Sequence, residues 1–298
     1  MDGELVLQSI SSPDIPTSFG TRSYATLALH AEPDRFVDID AFLWAGNEGS
    51  LRGQLEELTA TFFPFADDSL QITLGKQYLP FGIFDKNTLS APLTESLGSL
   101  QADRAVTVTS DFDALAASFY WFEESSAAPT EQEKPQAGGP DGYGLRLERH
   151  TDDSDIFIDY VSNLSRSDLF FPNDIKRPIP GLSFSASVND GAMTFLASHI
   201  ASLRALEPSQ LDGNIEIPVK PSATRIEMDY EITLDQLLVL FWNRAGQSAQ
   251  IDVLQEIAGI AWQREFTAGI SARLEASHTL DAEHVSDWVF GAQISWSL

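Results

Sequence analysis

Arg225, Glu227 and Asp229 stand at alternate positions of one segment, Arg273 and Glu275 of a second, Arg146 and Glu148 of a third, and Asp38 and Asp40 of a fourth. Charges at every second residue fall on one face of an extended strand, because successive side chains point to opposite sides. Such a face does not by itself carry out acid–base catalysis; it makes an electric field. Lining a water-filled passage, it would sort ions by sign. Together with Glu57 and Asp159 these residues are the candidate pore lining. Acids outnumber bases among them, which favours cations. Neighbouring arginines and carboxylates can also simply pair with one another.

Catalytic signatures are missing. There is no G-x-S-x-G, no H-E-x-x-H, no P-loop and no G-x-G-x-x-G opening a helix, so the chain reads as a non-enzyme. His30, His150, His199, His278 and His284 lie apart without ligand spacing, and Glu283-His284 reads as a solvated loop pair. Asp152-Asp153-Ser154-Asp155 lacks the glycine and distal glutamate of a calcium loop and reads as a turn. No metal and no cofactor are expected. Absence of cysteine excludes disulfides, thiolate metal sites and a thiol nucleophile. The chain has 298 residues, with 18 Lys+Arg against 44 Asp+Glu and a net charge of −26. That balance argues against nucleic acid and against anionic lipid held through bulk charge. A hydrophobic fraction of 43% is too high for a disordered chain.

The elements that would position these charges are strands. Leu70, Ile72 and Leu74 alternate with polar residues, as do Leu182, Phe184 and Ala186, and Ile226, Met228 and Tyr230. Ile270 to Ala276 and Trp288 to Leu298 do the same. Tight turns of Asn, Asp, Gly and Pro chemistry are expected near 32–34, 65–68, 111–113, 152–154, 189–191 and 233–235. Mostly longer connections lie between them, near 11–20, 46–52, 80–102, 124–141, 163–179, 202–220, 243–250 and 279–287. This rhythm is that of an up-and-down meander of about 16 strands, with 14 as the alternative count. The fold class is therefore all-β: one domain over residues 1–298, an antiparallel transmembrane barrel with short periplasmic turns and long extracellular loops.

Period two alone does not separate a barrel, apolar outside, from a soluble sandwich or propeller, apolar inside. Strands of about 9–11 residues suit a tilted membrane crossing. All six tryptophans fall near expected strand ends: Trp44, Trp121, Trp242 and Trp288 toward the long loops, Trp262 and Trp296 toward the short turns. That placement predicts an aromatic girdle. The last strand, ending Trp296-Ser297-Leu298, looks like the terminal signal read by outer-membrane barrel assembly machinery. Among the longest apolar runs is Leu237–Trp242, far short of the roughly 20 residues of a spanning helix. The start, Met1-Asp2-Gly3-Glu4, has no leader character, so an outer-membrane location carries the expectation that a signal peptide has been removed.

One connection differs from the rest. Residues 80–102 contain Pro80-Phe81-Gly82-Ile83-Phe84-Asp85-Lys86-Asn87 and Pro92-Leu93-Thr94-Glu95. A loop this apolar must pack, either by folding into the barrel and narrowing it or as an ordered extracellular cap. The residues expected to shape a constriction or meet a ligand are Lys76, Phe81, Asp85, Lys86, Thr94 and Glu95. Lys76 and Lys86 are the bases that would meet an anionic chelate.

Leu74-Gly75-Lys76-Gln77-Tyr78-Leu79-Pro80-Phe81-Gly82, followed by Pro92-Leu93-Thr94-Glu95 and Leu97-Gly98, resembles the "GRQYVPFG…PLTLELGE" stretch of LbtU-type siderophore porins. Ser69–Gly75 resembles that family's preceding strand, and Asp141–Gly144, Tyr160–Asn163 and Lys220–Ala223 are similar to later segments. The likeness is sharp over residues 69–98 and loose elsewhere, and Lys76 replaces an arginine of the pattern. It implies a plug-free outer-membrane barrel passing an iron–siderophore complex. Expected partners are therefore outer-membrane lipid, a small solute or ferric siderophore, and the assembly machinery. A plugged 22-strand receptor needs a longer chain, so transport would be passive diffusion. The alternative is a non-transporting barrel that binds surfaces through loops 80–102, 124–141 and 163–179.

Overall fold

The computed structural model describes residues 2–11, 20–46, 52–67, 69–85, 87–123, 142–165, 167, 169–170, 175, 177–208, 218–247, 254–267, 269–281 and 285–297. For residues 2–11, 20–25, 46, 52–53 and 296–297 only the backbone is described.

Among the described residues sixteen strands run in sequence: β1 (Asp2–Ser11), β2 (Gly20–Asp34), β3 (Val37–Gly46), β4 (Arg52–Phe62), β5 (Leu70–Tyr78), β6 (Gln101–Phe112), β7 (Leu115–Glu123), β8 (Gly142–His150), β9 (Ser154–Val161), β10 (Gly181–Asp190), β11 (Met193–Ser202), β12 (Ser222–Thr233), β13 (Gln236–Gly246), β14 (Glu256–Thr267), β15 (Ile270–Leu280) and β16 (Ser286–Ser297). A short helix, α1 (Leu93–Gly98), interrupts the connection between β5 and β6. Each strand pairs antiparallel with its sequence neighbours, and β1 pairs with β16 to close the barrel. Closure leaves no free edge strand, which a wall facing hydrocarbon requires, although β4 and β5 pair only over Leu58–Phe62 and Ile72–Lys76.

The register fixes which way each side chain points. Leu274, Ile294 and Ile226 are 51%, 60% and 51% exposed, and they share the outer face with Phe119, Leu147, Phe184 and Phe290. The inner face carries serines, threonines and charges. Thr61 and Thr73 hydroxyls meet at 3.0 Å, Thr109 and Ser118 at 2.9 Å, and Ser185 and Ser198 at 2.8 Å, each pair spanning adjacent strands. Apolar outside and polar inside is the reverse of a sandwich and meets the barrel expectation.

The buried hydrophobic cluster sits inside the barrel, in the half nearer the long connections. Leu79, Phe81, Leu93, Leu97 and Leu100 from the β5–β6 connection pack with Tyr120, Phe122, Ile200, Val239 and Phe241 of the inner wall. Leu164, Leu169, Phe170, Ile175 and Ile179 of the β9–β10 connection join them, as do Leu206 and Val219 of the β11–β12 connection. Glycines on the wall make room for this filling. A Cβ at Gly144 would lie 2.0 Å from the Tyr120 ring.

Candidate functional site: a strap across the barrel interior

Residues 79–100 fold into the barrel as a strap instead of capping it. The strap leaves β5, and its peptide at Gly82 is held by an ion pair on β8 and β9. Arg146 donates from Nε to Asp159 Oδ1 at 2.7 Å and from Nη2 to the Gly82 carbonyl at 2.6 Å; the Gly82 N–H donates to Asp159 Oδ2 at 2.8 Å. Glycine is required here: φ is +79°, and a Cβ would lie 2.6 Å from the Phe84 ring and 3.0 Å from Ile200.

The strap then passes β12. Arg225 Nη2 donates to the Asp85 carbonyl at 2.7 Å and to Glu227 Oε2 at 2.8 Å. Asn87 donates to Asp229 Oδ2 at 2.6 Å. At β15, Arg273 Nη1 donates to the Thr88 carbonyl at 3.2 Å, while Gln263 on β14 accepts from the same guanidinium at 2.6 Å. Glu275 accepts from the Leu89 N–H at 2.5 Å, from the Ser90 N–H and from the Ser90 hydroxyl. Leu89 reaches β16, where Gly291 leaves space for it. The chain returns through α1, whose Leu93, Thr94, Leu97 and Gly98 are buried, and the Leu169 N–H ties the neighbouring connection to Ser96 at 2.7 Å.

Most of these anchors grip main-chain groups. Charged donors and acceptors make the stronger hydrogen bonds, and burial beneath the strap removes competing water. Of the eleven residues expected to line the passage, Arg146, Asp159, Arg225, Asp229, Arg273 and Glu275 bond the strap directly, and Glu227 holds Arg225. They face inward, but Asp159 (0% exposed), Arg225 (1%), Glu227 (4%) and Glu275 (6%) are covered, so these four do not line open water. Glu148 contacts Arg146 at 3.7 Å and His150 at 3.0 Å.

Asp38, Asp40 and Glu57 lie on β3 and β4, across the interior from these anchors. Asp40 accepts from His30 Nδ1 at 2.7 Å and stays half exposed, while Glu57 accepts from the Tyr78 N–H at 2.9 Å. His30, Glu32 and Asp38 bring three possible ligand atoms within 4.8 Å of one another, yet both His30 ring nitrogens already face carboxylates. Asp85 is exposed on the strap, Phe81 is fully buried, Thr94 is buried on α1 and Glu95 half-buried beside it. Lys86 lies outside the described residues.

Three expectations are corrected. Lys76 is not on the strap and does not face the interior. It shares the parity of the exposed Leu74 and Tyr78 on β5, and its Nζ meets Asp103 at 3.6 Å. Trp44 is not part of an outer girdle. It pairs with Thr26 and Gln54, two positions along β3 from Phe42 and four from Asp40, so it shares their inner face. Trp121, Trp242 and Trp288 do lie on the outer face; Trp262 is on the outer face too, but at the middle of β14 opposite Leu274 and not near the short turns, and the Trp296 side chain is outside the described residues. Counting by twos from Asp38 and Asp40 was the signal for Phe42 and Trp44. Gln263, which orients Arg273, had none.

No family model matches the chain, and no curated protein does. Solved barrels match over its full length. An OmpT of Vibrio cholerae lacking loop L8 superposes with a TM-score of 0.69 at 12% identity, covering 100% of this chain and 98% of that one. OmpF of Salmonella typhi, in complex with daunomycin, gives 0.69 at 11% identity, with 100% and 96% covered. An anion-selective porin from Comamonas acidovorans gives 0.71 at 8% identity, with 100% and 99% covered. The shared feature is the fold: a porin-like barrel.

Proposed function

We propose that the chain is an outer-membrane channel through which small solutes diffuse passively, cations ahead of anions. The observation that carries this is the strap. It is bolted to the β8–β15 side of the interior, so the passage runs between it and the arc from β16 to β4. On that arc Asp38, Asp40 and Glu57 face inward, while among the arginines whose side chains are described the inner ones, Arg146, Arg225 and Arg273, are occupied by carboxylates, by Gln263 and by strap carbonyls. Negative charge in a low-dielectric tube raises the local concentration of cations. The apolar outer face fits the hydrocarbon of a bilayer, and the neighbours named above are outer-membrane porins, which supports the location.

Planar bilayers containing the purified protein should show discrete conductance steps and a reversal potential displaced toward the cation value in a potassium chloride gradient. Asp38→Asn with Asp40→Asn should move that potential toward zero. Silence from protein that migrates as a folded, heat-modifiable barrel overturns the channel, and an unmoved potential overturns the assigned wall. A ferric siderophore as the natural solute is supported by the likeness of residues 69–98 alone. It predicts strap-dependent uptake of iron chelate under iron limitation.

A further inference from the structure

Of the inward aromatic side chains of the described wall, Tyr120, Phe122 and Phe241 are buried, at 0%, 3% and 5% exposure, and Phe157 lies against the Arg146 guanidinium and the His150 ring. Phe42 and Trp44 are different. Both lie on the inner face of β3, on the arc facing the passage, and neither belongs to the buried cluster. Phe42 stands opposite Ala28 on β2 and directly opposite Glu57 on β4. Asp40, half exposed, lies two residues away on the same face.

Both rings are half-buried on an otherwise polar face, and apolar surface that stays partly open to water is unfavourable unless something covers it. Two rings flanked by carboxylates are the arrangement that recognises organic cations: the ring face attracts an ammonium through its quadrupole, and the carboxylate supplies the counter-charge. Alkyl groups around the nitrogen bury against the rings, which a hydrated metal ion does not do.

We infer that Phe42 and Trp44, with Asp40 and Glu57 beside them, form a binding site for small organic ammonium ions in the open part of the passage. The inference rests on the channel reading and deepens it by naming a solute class. Its test separates the two. Choline and its neutral carbon isostere, 3,3-dimethylbutan-1-ol, are titrated calorimetrically into the full-length protein folded in detergent, where binding does not depend on conductance. The same probes are then added to single channels carrying potassium current.

Choline should bind saturably and interrupt the current, and the isostere should bind at least about tenfold more weakly. Phe42→Leu with Trp44→Leu should weaken choline binding about tenfold or more, and Glu57→Gln should weaken it without touching the rings. Trp121→Leu, on the outer face, should leave it unchanged. Equal binding of choline and isostere overturns the cation assignment. Binding that survives loss of both rings overturns the site. A protein that binds choline but never conducts overturns the channel and keeps the site.

Discussion

Gly75 shows how one residue decides local shape in this wall. Its φ is +139°, and a Cβ there would stand 2.1 Å from the Leu58 carbonyl oxygen. The contact is with main chain of β4, which has no rotamer to escape through. The position also marks the register shift between β5 and β6, after which β5 turns inward to begin the strap. Gly75→Ala should therefore cost about 1–3 kcal/mol through strain and a displaced ladder. Gly191→Ala, at φ +64° with nothing within 4 Å, should cost less, about 1 kcal/mol. Urea titration of vesicle-inserted protein checks the order; equal costs would mean that β4 yields at this point. The same residue-scale logic explains what was legible in the sequence. The inward parity of Asp38, Arg146, Arg225 and Glu275 follows from period two. The outward parity of Lys76 follows from the same count, but its usefulness as a base near an apolar loop is a functional guess that geometry overrides through Asp103.

At the scale of the element, the strap is a 22-residue connection held by two kinds of force. Its return limb, through α1, is seated by apolar burial, with Leu93, Leu97 and Leu100 each at 5% exposure or less. Its tip, from Asp85 to Ser90, is held chiefly by charged side chains of β12 and β15. Composition could say that residues 80–102 pack. It could not say where, because the partners lie far away in sequence: 77 residues for Gly82 and Asp159, 140 for Asp85 and Arg225, and 186 for Leu89 and Glu275. The two limbs should respond differently to substitution. Glu275→Gln keeps the size of the side chain but replaces a carboxylate that accepts three hydrogen bonds with an amide, and about 1.5–3 kcal/mol of charged hydrogen bonding at the tip is lost or weakened. The barrel should still fold, and single-channel current should become noisier and rise as the tip samples the passage. Leu97→Ala acts on the seated limb, leaves a cavity and should cost about 2–5 kcal/mol with the tip anchors intact. Matching current traces for the two variants would show that the strap moves as one rigid piece.

The whole molecule turns on which face meets hydrocarbon. The alternation, the connection rhythm and the strand count near 16 were readable because period two survives along nearly every strand. The orientation of that pattern was only inferred, since a sandwich carries the same alternation. The structure resolves it through closure: a closed single sheet has one inside, and the strap and the charges occupy it. Placing a charge on each face tests the consequence. Leu274 lies near the middle of β15 on the outer face, between Trp262 and Ala292. In a bilayer, Leu274→Arg puts a guanidinium near the midplane at a cost of about 2–4 kcal/mol. Were this exterior bathed in water, an arginine replacing a leucine already 51% exposed would change stability by about 0.5 kcal/mol or less. Ser187→Arg is the matched change on the inner face. It sits beside Asp155, which Ser187 already contacts at 3.1 Å, and it should be tolerated to within about 1 kcal/mol. Unfolding of both variants from lipid vesicles gives the difference directly. A costly Leu274→Arg with a tolerated Ser187→Arg is the result expected of a wall that is greasy outside and wet inside; equal costs would mean that the outer face does not meet hydrocarbon.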